Sequence, residues 1–291
     1  MRRALVTGAN KGIGLAIARA ILEEHDDTFV FLGSRDRARG EEAAKAIGSK
    51  GEGRVEVVEL DVGSDASVNA AAEHVRRRLG GEKLYGIVNN AGVNAGSGPG
   101  GLARTIEVNT LGPKRVCEAF LPLLEERGGR VVIVSSASGP TFVAKCSPER
   151  QRFFVDPAVT WPALRALVDE CIALGDDKEA LVARGLGDGS AYGLSKALVN
   201  SLTMLLAREH PSLHVNACTP GFIETDLTRG YIEPGKTAAD AGMKPPSEGA
   251  RAPMFLLFGA LEGNGRYYGS DAKRSPLDRY RAPGSPTYAG D

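Results

Sequence analysis

Residues 2–24 restrict the fold of this chain more than any other stretch. Arg2-Arg-Ala-Leu-Val-Thr-Gly8 reads as a short apolar strand, Gly8-Ala-Asn-Lys-Gly12-Ile-Gly14 as a glycine turn, and residues 15–24 carry apolar side chains at helical spacing. Glycine lets backbone turn tightly and approach a ligand, while the free N–H groups and dipole at a helix start favour an anion such as a pyrophosphate. A glycine triplet alone is equally an ordinary strand-to-helix turn. With these flanks on both sides, it points to a nucleotide site.

The alternation continues along the chain. Residues 29–32, 55–60, 85–88, 131–134 and 215–218 are short, β-branched-rich runs separated by helical patterns. This predicts an α/β fold, a Rossmann-like doubly wound parallel sheet with helices on both faces and the ligand crevice beyond the carboxyl ends of the strands. Thr7, Ser34, Asp61, Asn89, Ser135 and Pro220 each follow an apolar run, which places them at that crevice. A chain of 291 residues, 42% hydrophobic and 25% charged, can bury one sizeable core, so a single domain over residues 1–270 suffices.

A formal net charge of zero gives no general field for nucleic acid or an acidic membrane, and no stretch approaches the ~18 apolar residues of a membrane span. Neither partner is expected, and the reading is cytoplasmic. Cys117, Cys146, Cys171 and Cys218 lack paired metal spacing, so they read as small buried or incidental thiols, with no metal site.

Tyr192-Gly-Leu-Ser-Lys196 puts a phenol and an ammonium four residues apart on one face of a helix. A phenol titrates near ~10, and a nearby cation favours its phenolate, which would let the pair trade protons with an alcohol or carbonyl. The spacing by itself also describes an ordinary surface helix pair.

Thr7-Gly-Ala-Asn-Lys-Gly12-Ile-Gly14, Asn89-Asn-Ala-Gly92, Asn109, Ser135-Ser136, Tyr192-x-x-x-Lys196 and Pro220-Gly221 stand in the order found in the short-chain dehydrogenase/reductase family. Over residues 2 to about 270 the chain resembles that family. It looks most like the NADPH-dependent carbonyl reductase branch, where Gly-Ala-Asn-Lys-Gly, Ser34-Arg35-Asp36 and a long segment between Ser136 and Tyr192 recur. The resemblance implies that Tyr192 gives a proton to a carbonyl oxygen of a small-molecule substrate. Ser136 would polarise that oxygen, and Lys196 would lower the tyrosine pKa and hold the nicotinamide ribose. It further implies that Asn109 holds a bent helix and a water leading to the lysine. The glycine loop (Gly8, Asn10, Lys11, Gly12, Ile13, Gly14), Asp61-Val62 at the adenine, Asn89, Ala91 and Gly92, and Pro220, Gly221 and Thr225 at the carboxamide would bind the dinucleotide. At Asp61 the alternative is a helix N-cap.

An NAD enzyme places a carboxylate about 20 residues beyond the glycine turn; here that position is Ser34, followed by Arg35. Arg35 can pair with a 2′-phosphate and Lys11 adds a charge, so NADP(H) is favoured, although Asp36 leaves room for NAD and Arg35 and Arg39 also read as solvated cations.

Two departures set the chain apart. Ser136 and Tyr192 stand 56 positions apart, an insertion over about residues 140–189, with a capped turn at Ser147 and helical spacing in Leu164, Leu167, Val168, Cys171 and Ile172 behind Pro162. In the branch it resembles, such an insert covers the face used for dimerisation, so a monomer is expected; the alternative is a lid over the substrate. Asn94-Ala-Gly-Ser-Gly-Pro-Gly-Gly101 makes a short connection expected to be mobile, and residues 271–291 read as an extended or disordered Pro/Gly-containing tail. A NAD(P)-dependent alcohol or steroid dehydrogenase, a dedicated ketone reductase and a dinucleotide-binding sensor are the rival functions.

Overall fold

The strand and helix signals resolve into one sheet. A computed structural model describes residues 1–96 and 100–290. Strands β1 (Arg2–Val6), β2 (Thr28–Ser34), β3 (Val55–Glu59), β4 (Gly86–Asn89), β5 (Arg130–Val134), β6 (His214–Cys218), β7 (Tyr267–Tyr268) and β8 (Arg274–Ser275) lie in the order 3-2-1-4-5-6-7-8, parallel except for the final antiparallel pair. The helices are α1 (Gly12–Glu24), α2 (Arg37–Ile47), α3 (Asp65–Leu79), α4 (Gly101–Ile106), α5 (Gly112–Phe120), α6 (Ser138–Val143), α7 (Pro148–Phe154), α8 (Trp161–Leu174), α9 (Lys178–Ala183), α10 (Ala191–Glu209) and α11 (Pro246–Phe258). The topology reverses between β1 and β4, where a doubly wound sheet opens its crevice.

Period-two alternation sorts each strand between two cores. Leu5, Ile87, Val131 and Ile133 pack with Val68 and Val75 of α3, Val116 of α5 and Leu198 and Leu202 of α10. Ala4, Val6, Val88 and Val132 face Ile17 and Ile21 of α1, Ala43 of α2 and Leu257 of α11. Each such Val, Leu or Ile contributes roughly 1.5–3 kcal/mol on full burial. A one-residue slip would exchange the faces of a whole strand, so the register is held from both sides.

From Gly101 to Leu123 the helical run is broken into four segments. Between α4 and α5 a π turn spans Glu107–Leu111, and a 3₁₀ turn over Leu121–Leu123, carrying Pro122, closes the run. A π turn widens the helix by one residue and re-aims what it carries, here Asn109.

In the inserted segment, Ser147 caps α7 and Thr160 caps α8, whose Leu164, Leu167, Val168 and Cys171 are buried as it packs on α4 and α10. Asp176, beyond α8, accepts from the backbone N–H groups of Gly100 (2.7 Å), Gly101 (3.3 Å) and Leu102 (2.7 Å) at the start of α4. Residues 97–99 of the glycine-rich connection lie outside the described residues. The tail is extended, and it is fastened: Asp271 pairs with Arg281, and Arg274 and Arg279 lie over the Tyr288 ring at 5.7 and 5.4 Å. Strand β8 in the tail, and β7 just before it, have two residues each, too short to leave a periodic signal. Among the described residues no helix is long and apolar enough to cross a membrane.

Candidate active site

Beyond the carboxyl ends of β1, β2, β4, β5 and β6 the chain encloses a cavity of about 740 Å³, running from Arg35 past the glycine turn to Tyr192 and Lys196. Its floor is backbone. Gly8 adopts φ +62°, and a Cβ there would lie 2.9 Å from Ala91 Cα. At Gly14 a Cβ would meet Asn90 Nδ2 and the Gly8 carbonyl at 2.4 Å. Side chains cannot be accommodated at either position without displacing main chain. No side chain caps the first turn of α1, so its free N–H groups are available at the cavity wall to an anion.

Around Arg35 the charges are exposed. Asp36 caps α2, accepting from Arg39 N at 3.1 Å, and pairs with the Arg39 guanidinium at 3.8 Å. This carboxylate is committed to the helix start, which removes the sequence-level argument for it as a ribose ligand. Lys11 is ion-paired with Asp226 across the cavity, and Asp226 also pairs with Arg229 at 3.0 Å. Arg35 has no ion pair among the described residues. Arg104, on α4, also lines the cavity beside Asp61 and Val62; its isolated position in sequence gave no signal. Asp61 is not a helix cap: Ser64 caps α3, and Asp61 closes a turn by accepting from Gly63 N at 3.0 Å.

At the other end the polar groups are buried and tied to main chain. Lys196, 4% exposed, donates to the Val134 carbonyl at 3.0 Å, and its Nζ stands 5.6 Å from the centre of the Tyr192 ring. Burial pushes Lys196 down to about 8. Burial also raises Tyr192 above the ordinary phenol range, opposed by the Ser136 hydroxyl that faces it. Burial of the phenol thus acts against the lowering anticipated from its lysine, whose ammonium is aimed at a carbonyl. Of the three neighbouring serines, Ser135 is buried with its hydroxyl towards the Lys196 carbonyl at 3.4 Å, while Ser136 and Ser138 share a hydrogen bond at 3.2 Å.

Asn109 lies behind the wall, 1% exposed. It donates to the Val93 carbonyl (2.9 Å) and Ser195 Oγ (3.0 Å), and accepts from Val93 N (2.8 Å). Ser195 donates in turn to the Tyr192 carbonyl at 2.8 Å, so the π turn is stitched to α10 through a serine that the Tyr-x-x-x-Lys spacing did not single out. A Cβ at Gly92 would lie 3.3 Å from Asn109 Oδ1 and 3.8 Å from Lys196 Nζ, which shows how closely these three positions converge.

Asn10, Ile13, Ala91, Pro220 and Thr225 line the cavity, with Gly8, Gly12, Gly14 and Gly92. Asn89 does not. On β4 it shares a face with Ile87, so its amide turns down to Cys117 Sγ at 3.7 Å; the residue at the cavity is Asn90, which donates to the Thr7 and Gly8 carbonyls at 2.9 and 3.2 Å. Gly221 sits beside the lining at φ +98°, its N–H held by Thr219 Oγ1 at 3.2 Å.

Residues 2–148 match the profile of the short chain dehydrogenase family. Carbonyl reductase (NADPH) 1 of Rattus norvegicus is 33% identical over 286 residues, spanning 94% of this chain and 97% of the relative. The solved structure of salutaridine reductase from Papaver somniferum superposes with a TM-score of 0.76 at 26% identity, covering 92% of this chain and 99% of that one. The NADPH-bound carbonyl reductase from chicken fatty liver superposes with a TM-score of 0.65 at 25% identity, covering 94% and 98%.

Proposed function

Because this chain belongs to the short-chain dehydrogenase/reductase family, we propose that it is an oxidoreductase that uses NADPH to reduce the carbonyl of aldehydes, ketones or quinones, with Tyr192 as proton donor. One observation carries the reading: a single cavity joins Arg35, without an ion pair among the described residues, at one end to Tyr192, facing Ser136, and Lys196 at the other. The residues fit a dinucleotide phosphate, since the glycine turn excludes side chains and presents backbone N–H groups. Gly8, Asn10, Lys11, Gly12, Ile13 and Gly14 would hold the pyrophosphate region, Arg35 the 2′-phosphate, Asp61 and Val62 the adenine, and Ala91, Gly92, Pro220, Gly221 and Thr225 the nicotinamide side. When bound, the cofactor supplies the hydride. Ser136 hydrogen-bonds the carbonyl oxygen, Tyr192 donates its O–H proton to it, and Lys196 offers positive charge to the ribose and the phenol. Asn109 fixes Val93 and Ser195, and so the wall beside that lysine.

We read the protein as a cytoplasmic monomer. All four cysteines are free and buried, which suits a reducing compartment, and α8 covers parts of α4 and α10 with buried side chains. The likeness to salutaridine reductase favours a second reading, in which the substrate is one dedicated ketone.

NADPH oxidation by the purified protein, with quinones, aromatic aldehydes and ketones, tests both. Tyr192→Phe is expected to lower kcat by about 10²–10⁴-fold while the NADPH dissociation constant stays put. Turnover at the parental rate in a folded variant overturns the mechanism.

A further inference from the structure

Resting on that reading, we propose that the C-terminal tail builds one wall of the substrate site, with Tyr280 as a specificity-determining residue that favours bulky aromatic carbonyls and Arg281 as the residue that positions it. A second cavity, of about 330 Å³, adjoins the Ser136–Tyr192 pair: Ala137, Ser138 and Thr141 come from just beyond Ser136, Gly193 from the turn that carries Tyr192, Asp188 from the insertion, and Tyr280 from the tail. Every wall but the last is a near neighbour in sequence of a reacting side chain. Tyr280 reaches this place from residues that make no strand or helix.

The tail is held there by a buried clamp. The side chains of Arg281 and Asp271 are 7% and 12% exposed and ion-paired. Arg281 Nε donates to Ser275 Oγ at 2.9 Å and Nη1 to the Ser285 carbonyl at 2.8 Å, and Asp271 accepts from Gly284 N at 3.0 Å. A desolvated guanidinium with this many fixed acceptors restricts the main chain next to it, and the adjacent residue is Tyr280. Yet Tyr280, so positioned, is 56% exposed. A partly exposed aromatic ring on a cavity beside a carbonyl-reducing pair suits a flat apolar substrate that covers it.

The test uses the full chain with Tyr280→Ala, Arg281→Met and the double variant, assayed with 2-acetylnaphthalene and with propanal. In Tyr280→Ala the KM for the naphthyl ketone should rise about tenfold relative to that for propanal, the loss of one aromatic contact, with kcat changing less than KM. Arg281→Met should give the same selectivity change, and the double variant no more than either, since both act through one ring. A selectivity ratio within about twofold of the parent in folded Tyr280→Ala overturns the proposal, as does an Arg281→Met effect equal on both substrates. Saturation-transfer NMR of the ketone on the NADPH-loaded protein separates the two levels of failure: it reads ligand contact in parent against Tyr280→Ala without turnover. Contact without reduction sinks the functional reading alone; equal contact in both proteins sinks this one.

Discussion

The two ends of the main cavity carry similar numbers of charged and polar groups and treat them oppositely. Around Arg35, Asp36, Lys11 and Asp226 the side chains are exposed, and partners are other side chains on flexible stems. Around Lys196 and Asn109 the groups are almost fully buried, and their partners are chiefly main-chain atoms on β5 and the segment after β4. Water screens the first set, so each pair there is worth at most about 1 kcal/mol. Desolvation governs the second, strongly enough to move an ammonium to about 8. One end of the site is thus cheap to rearrange when a ligand arrives, and the other is fixed before it does.

The sharpest way to break this contrast is Lys196→Met. Between pH 8 and the ordinary lysine value, the unfolded chain holds a proton that the folded chain has released. The unfolded state then binds more protons, so the parent gains stability as pH rises through that window. The methionine variant, which has no such charge to bury, should be inactive yet more stable than the parent by about 3 kcal/mol at pH 7. That margin should close by about pH 10.5 in paired denaturant titrations. A variant less stable at every pH means the bond to Val134 outweighs the buried charge.

Next in size, Arg35→Glu should weaken NADPH binding by about 10–100-fold, the cost of losing charge-assisted hydrogen bonds, and leave NADH binding nearly as it was; cofactor fluorescence reads both. Equal losses for the two cofactors would place the 2′-phosphate elsewhere, with Arg104 the next candidate. The smallest change is expected from Asp226→Asn, which frees Lys11: NADPH should bind about two- to fivefold tighter at low salt, with the gain gone at about 0.5 M salt, where the screening length falls towards 3–5 Å. Salt should leave the Lys196→Met stability difference almost untouched, and that asymmetry is the contrast in measurable form.

The sequence made the fold and the buried end legible for the same physical reason. Strand alternation, the glycine turn and Tyr192-x-x-x-Lys196 are local patterns in which spacing dictates geometry. Asn89 shows how local this is: it is the last residue of β4, one beyond the apolar run, and the strand's alternation turns it into the core and leaves Asn90 at the cavity. What stayed hidden depends on remote meetings. Lys11 finds Asp226 across 215 positions, Asn109 finds Ser195 across 86, and Arg281 fixes the tail by closing on Asp271. Ser195 lay inside the most conspicuous motif of the chain, but a buried serine's partner on another helix has no periodicity to betray it. The direction of the Tyr192 shift was likewise unreadable, because burial is a property of the assembled site.

Asp176 gives the insertion a duty towards the main cavity, which it does not line. By holding three successive N–H groups at the start of α4, it sets where that helix begins, and α4 runs directly into the widened turn that aims Asn109. The inserted helices therefore cannot be trimmed as an ornament. A shortened chain that kept every residue of the cavity would still lose the peg that sets the phasing of the Asn109 turn, and anyone grafting this active site onto a more compact relative would have to bring the peg along.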